Sequence, residues 1–543
     1  MKFKLSLLAG VLALSSTAHA SYEPFKITPF ATFSNEDVEF DESAAEIVAF
    51  DATSQKFFVV NAQSNTIDVL AIDDEFVFAK DESCTDGNLD LSLTNVSGGP
   101  NSVAVYNGLV AVAVEDDPKQ NPGEVAFYNA MDCSFISSIQ VGALPDMLTF
   151  TKNGMKVVVA NEGEPNDDYN IDPEGSISII DISSGVASAT VATADFHEFN
   201  GKEEQLRKKG VRIFGPNANA SMDLEPEYIT TSNGLAYVTL QENNALAVVD
   251  IHKAKVLSIN SFGTKNFNRK RNALDYTNED DAINIVRAPL VGMYQPDAVA
   301  SFNYYGETYI VTANEGDARD YDGFSEEVRV EDLTLDADLV AKFPGFADED
   351  DLGRPRVTDQ DGDIDNDGDI DKVHMYGARS ITVWRFNHRG KLRKVADTGS
   401  VIERAVADQF PALFNANNDE DGIDSRSDDK GPEPEAIIIE FIDGVPYAFV
   451  GLERASLIAI FDLSWPEKPK LVQLFGNRVS GANSSKELKD DDDELVVRPG
   501  LDLGPEGLDY IPAHKSPTGK PLLAVANEVS GTTTLYTLEM YYY

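Results

Sequence analysis

Basic residues, cysteine and tryptophan are scarce in this chain, and each shortage excludes something. Only 44 Lys and Arg stand against 92 Asp and Glu over 543 residues, a formal net charge of -48. That balance repels nucleic acid and anionic membrane surfaces, and it favours solubility and divalent-cation binding. Adaptation to salty surroundings, where screening relieves self-repulsion, accounts for the same figure. Past the first twenty residues no apolar run is long enough to span a bilayer. The chain has 2 Trp, Trp384 and Trp465, and lacks the GH and WD signatures, which excludes a WD-type repeat. GxSxG, HExxH, Walker and CxxC patterns are absent too. The mature chain's histidines, His197, His252, His374, His388 and His514, are scattered without metal-ligand spacing. Any catalysis would rest on carboxylates, a bound cation and arginine.

The start reads as an export signal. Lys2 and Lys4 precede the apolar run Leu5 to Leu14, and Ala18-His19-Ala20 supplies the small residues for cleavage, so residues 1–20 form a signal peptide and the mature chain begins at Ser21. The destination is the periplasm or the outside of the cell. In that oxidising setting Cys84 and Cys133, in neighbouring repeats, are expected to form a disulfide.

What the chain has is a repeat. Seven strand-like segments end in one signature: Val60-Asn61-Ala62, Val114-Glu115-Asp116, Ala160-Asn161-Glu162, Leu240-Gln241-Glu242, Ala313-Asn314-Glu315, Leu452-Glu453-Arg454 and Ala526-Asn527-Glu528. Upstream of each, an acid or amide opens another apolar run, usually after proline: Glu46, Asn101, Asp146, Glu227, Asp297, Glu435 and Glu506. A third run follows each turn, as in Ser176 to Ile182 and Ala245 to Ile251, and a variable fourth leads onward. Four antiparallel strands used seven times predict an all-β, seven-bladed β-propeller. The Phe25 to Phe33 segment is expected to complete the final blade. Residues 21–543 then form one propeller, with charged, Gly- and Pro-rich insertions between strands.

One insertion, about 316–377, holds the sharpest local motif. The run Asp359 to His374 reads DQDGDIDNDGDIDKVH. Asp363, Asp365, Asp367, Asp369 and Asp371, with Gly368 at the turn, match the alternating-oxygen loop of calcium sites. The twelfth position is His374 in place of a bidentate glutamate, so flanking EF-hand helices are not expected. A solvated acidic loop is the alternative.

Equivalent positions on successive blades form rings. Glu115, Glu162, Glu242, Glu315, Glu453 and Glu528 should face a common axis or rim, with Asn101, Asp146, Glu227, Asp297, Glu435 and Glu506 near them. Such oxygens attract metal, and Glu227, Asp297, Glu435 and Glu506 are candidate ligands. Alternatively these side chains satisfy backbone N–H groups at strand ends. Extra polar residues cluster at Glu162 and around Glu315, Asp317 and Arg319. Arg319, Arg329, Arg379 and Arg454 lie in or near the turns, where each either holds an anion or pairs with the acids.

The strings PNSVAV, VVVANEGEPND, YIVTANEGDARDYDGF, YGARSITVW, GLERASLIAIFDL and LLAVANEVSGTTTLY resemble the choice-of-anchor I family of secreted bacterial propellers, over nearly all of Phe25 to Leu538. That family is related to mesenchyme-specific cell surface glycoprotein, and some members are labelled alkaline phosphatase or likened to calcium-dependent phytases. Two functions follow. One is a calcium-dependent phosphoesterase acting on a phosphate-ester substrate through Glu162, Glu315 and Asp317, with Arg319 or Arg379 steadying the anion. The other is a noncatalytic propeller binding an extracellular protein or glycan on its loop face.

Overall fold

The computed structural model describes residues 23–478 and 501–541, apart from 36, 37, 41, 281 and 419–421. The expected signal peptide and its cleavage site lie outside the described residues. The protein is mostly β. Its core consists of antiparallel sheets built on a four-strand plan, and the second strand of each is largely apolar, as in Lys56–Asn61, Lys156–Asn161 and Leu522–Asn527. These strands are buried on both faces, which is why they do not alternate polar and apolar residues.

In chain order the first strands of the sheets are Val48–Asp51, Pro100–Tyr106, Pro145–Phe150, Ile229–Ser232, Val299–Tyr304, Pro434–Ile442 and Pro505–Ile511. The last sheet draws its outer strand from the other end of the chain. Phe25–Ser34 pairs antiparallel with Thr532–Met540, from Phe25 opposite Met540 to Ser34 opposite Thr532, with one irregularity at Pro29.

Hydrophobic burial occurs between sheets. Ala111, Ala113 and Phe127 of the second sheet pack on Val157, Val159 and Ile180 of the third. Val158 and Ile177 of the third meet Val238 and Ala247 of the fourth. Similar layers fill the later gaps, and Phe57 and Val59 of the first sheet pack on Leu522 and Ala524 of the last. Cys84 and Cys133 form a disulfide beside the layer between the first two sheets, with Cα atoms 5.5 Å apart.

The insertions do more than loop outward. Residues near 264–293 and 327–375 contribute the strands Thr264–Asn266, Val291–Met293 and His374–Met375, and share a small core of Phe267, Leu290, Val330, Phe346, Val357 and Met375. Among the described residues no helix is long and apolar enough to cross a membrane.

Candidate cation-binding centre

Local backbone chemistry brings the strand-opening acids together. Six of the seven follow a proline, which has no N–H to give to a ladder and so sits at the beginning of a strand. After Pro100, Pro145, Pro434 and Pro505 the register slips, leaving Asn101, Asp146, Glu435 and Glu506 outside the regular pairing. A residue left out in this way is re-aimed relative to its neighbours.

The result is a cavity of about 110 Å³ lined by Glu46, Asn101, Asp146, Glu227, Asp297, Glu435 and Glu506, one side chain from each sheet. Glu162 also lines it, with Tyr228 and Met147 among the apolar surroundings. Glu46 belongs with the ring, though the sequence offered it only as a strand opener without a preceding proline.

So many carboxyl groups at one place cannot all ionise freely. Burial, and then neighbouring carboxylates, push Glu46, Glu162, Glu227, Asp297, Glu435 and Glu506 well above the usual carboxyl range. The same causes raise Asp146 to about 7. One oxygen each of Glu227, Glu242, Glu435 and Glu506 is buried without a hydrogen-bond partner. Native proteins rarely leave such atoms unsatisfied, and a cation or a proton would satisfy them.

The signature column lies beside this ring. Asp297, Glu315 and Glu435 bring oxygens within 4.8 Å of one another, and so do Glu315, Glu433 and Glu453. Calcium holds oxygen ligands at roughly 2.3–2.6 Å, so oxygens up to about twice that distance apart can share one ion. Burial raises Glu242 to about 7 and Glu453 to about 8, each against an arginine that lowers it, Arg319 and Arg454 respectively. Glu315 accepts from Gln241 Nε2 at 3.0 Å and pairs with Lys430 at 2.7 Å. Asp317 lies at the rim, 3.5 Å from the same amine with half its side chain exposed. Nothing local to Lys430 in the sequence signals that its insertion reaches these acids.

The arginines are occupied. Arg319 donates to Asp223 Oδ1 at 2.7 Å and Glu225 Oε2 at 2.6 Å, and its guanidinium lies 4.6 Å from the Phe214 ring centroid. Arg379 donates to Glu403 at 2.9 Å and to the carbonyls of Asp275, Ser427 and Asp429. Both residues are 1% exposed. Arg454 pairs with Glu433 and Glu453, each at 3.2 Å, and Arg329 with Asp428 at 2.8 Å. Of the two roles open to them from sequence, these guanidinium groups take ion pairing.

The aspartate loop is folded by backbone hydrogen bonds to its first acid. Asp363 accepts from the N–H groups of Asn366 at 2.7 Å, Asp367 at 3.2 Å and Gly368 at 3.0 Å, and Gly368 takes φ +101°. Asp363, Asp365 and Asp371 bring oxygens within 4.8 Å, while Asp369 and Asp371 do so with Asp336. Asp367 belongs to neither group. Asp336 comes from outside the motif: it caps Ala337–Lys342 through Leu339 N–H, and its own N–H donates to the Ile370 carbonyl. His374, at the twelfth position, lies in a short strand beside Val291 and is held down to about 4 by burial, offset partly by Asp361.

Comparison with known proteins follows the same outline. The chain is 32% identical over 203 residues to Gigasin-3a of Magallana gigas, covering 36% of this chain and 67% of that one. It is 28% identical over 320 residues to mesenchyme-specific cell surface glycoprotein of Strongylocentrotus purpuratus, covering 51% of this chain and 41% of that longer relative. Among solved structures, hydrazine synthase of Kuenenia stuttgartiensis is similar at a TM-score of 0.42 and 12% identity, covering 93% of this chain and 98% of that one. The Cps50 (Swd1) β-propeller domain of Myceliophteria thermophila is similar at 0.44 and 7%, covering 95% and 100%. The family model of the choice-of-anchor I domain matches residues 46–466, and the chain belongs to that family.

Proposed function

We propose that this protein is an exported, closed, seven-bladed β-propeller that binds calcium at its centre and in the 363–371 loop, and that works as a binding propeller. The observation that carries the reading is the cavity to which each sheet gives one acid or amide, with buried carboxylate oxygens that no protein group satisfies. Closure is supported by Phe25–Ser34 completing the last sheet and by the apolar layer between the last and first sheets. Calcium suits a set of oxygen donors without His or Cys better than zinc or copper does. Asp297, Glu315 and Glu435 would hold the central ion, with Glu227 and Glu506 beside them. Asp363, Asp365 and Asp371 would hold the second. Export agrees with the leader-like start, the disulfide and a relative whose name describes a cell-surface glycoprotein.

A calcium-dependent phosphoesterase is the second reading, and Lys430 favours it by putting an ammonium beside Glu315 and Asp317. It stands second because Arg319 and Arg379, the anion holders it would need, are enclosed by their partners. The experiment measures calcium binding by equilibrium dialysis, and turnover of a chromogenic phosphate monoester and diester with calcium or chelator, for wild type, Glu315→Gln and Asp371→Asn. Calcium binding that Glu315→Gln weakens, without ester turnover, is expected. Turnover lost in a folded Glu315→Gln protein would establish the phosphoesterase instead, and absence of calcium binding would remove both readings.

A further inference from the structure

Lys430 is an ammonium group inside a carboxylate cluster. Its amine lies 2.7 Å from Glu315, 3.4 Å from Glu433 and 3.5 Å from Asp317, with the side chain 13% exposed. Glu315 is the carboxylate common to both oxygen triads at the centre, the one with Asp297 and Glu435 and the one with Glu433 and Glu453. The amine therefore stands on the ligand that either triad would share with an ion.

The two ends of this contact differ in what else supports them. Glu433 also pairs with Arg426 at 2.9 Å and Arg454 at 3.2 Å, so its charge stays compensated if the lysine leaves. Glu315's other partner is the neutral Gln241 amide. The lysine's backbone is held in place: Gly431, next in the chain, has φ +73°, and a Cβ there would meet Arg379 Nε at 2.9 Å. Movement of the amine would thus come from its four-carbon stem, while the turn stays fixed. A monovalent and a divalent cation on one carboxylate repel each other strongly in a site shielded from water.

We infer that Lys430 is a tethered cation that occupies Glu315 when no divalent ion is bound and competes with that ion for it. It sets the calcium concentration at which the centre fills. This rests on the calcium reading of the ring.

The test is calorimetric titration of chelator-stripped protein with calcium chloride, comparing wild type with Lys430→Met, both carrying Asp371→Asn, the residue common to both loop groups, to silence the loop. Losing the competing charge should tighten central binding roughly 10- to 100-fold at unchanged stoichiometry. Equal or weaker binding by Lys430→Met, with wild type still binding, overturns the inference and leaves the calcium reading intact. No central binding by either protein overturns both. Should Lys430→Met fail to fold, wild type labelled with ¹⁵N-lysine decides: calcium should shift the Lys430 ammonium resonance and speed its proton exchange. An unchanged resonance at saturating calcium refutes the competition.

Discussion

If carboxyl groups at the centre hold protons until an ion displaces them, calcium binding must release protons, and its affinity must rise with pH. Asp297 and Glu435 are both raised well above the usual range, chiefly by burial, and Asp146 beside them to about 7. Burial favours the protonated forms of Asp297 and Glu435 in the ion-free protein, so filling the Asp297–Glu315–Glu435 site should release protons. Each displaced proton steepens the affinity by about tenfold per pH unit below its pKa. The dissociation constant should therefore fall as pH rises, and it should level off once these carboxyl groups are ionised. Stability runs the other way in the ion-free state. A carboxyl with a raised folded-state pKa stabilises most below its unfolded value and loses that contribution as pH rises through the folded value. For Glu242, moved from 4.5 to about 7, that contribution is roughly 3 kcal/mol at about 1.4 kcal/mol per unit. His374, lowered to about 4 by burial, changes stability in the opposite sense up to its ordinary 6.5, so it offsets part of the Glu242 loss over that interval. Calorimetry in two buffers of different ionisation enthalpy counts the protons. Zero proton release at pH 6.5, or an affinity independent of pH, would refute the reasoning.

Other outcomes follow from the same contacts. Arg379→Met leaves Glu403 buried and uncompensated and should destabilise the protein by roughly 3–5 kcal/mol in urea unfolding, any ester turnover falling only with the folded fraction. Replacing both Cys84 and Cys133 by serine opens a 49-residue span and should lower stability by roughly 4 kcal/mol, read by thermal unfolding with and without reductant. Asp365→Asn should abolish calcium protection of the 359–374 segment from limited proteolysis while leaving central binding unchanged. Deleting residues 21–34 exposes the edge of Thr532–Met540, and the product should aggregate on size-exclusion chromatography.

The strands and the acids that open them were legible in the sequence because both depend on local rules that recur. An apolar run buried on both faces, a proline that starts a strand and an acid after it can each be recognised without knowing what lies across the gap. Glu46 shows the limit of that reading, since it holds the same place without the proline. The insertions were less legible. Lys430 reaches Glu315 across 115 positions and Asp336 joins an aspartate motif from the opposite side of a β-bridge. Arg319 and Arg379 likewise find acids on segments distant in sequence. Asp336 is placed by the core around Phe267, Val330 and Met375, on which its neighbours Leu335 and Leu339 pack, and no periodicity records such a pairing.

The central claim is that carboxyl groups from separate sheets share a divalent ion. Anomalous diffraction from crystals grown in calcium at pH 8 tests it directly. The account predicts a peak where the cavity meets Glu315, at roughly 2.3–2.6 Å from oxygens of Asp297, Glu315 and Glu435. A cavity holding only water, with paired carboxyl oxygens close enough to share protons, would contradict it.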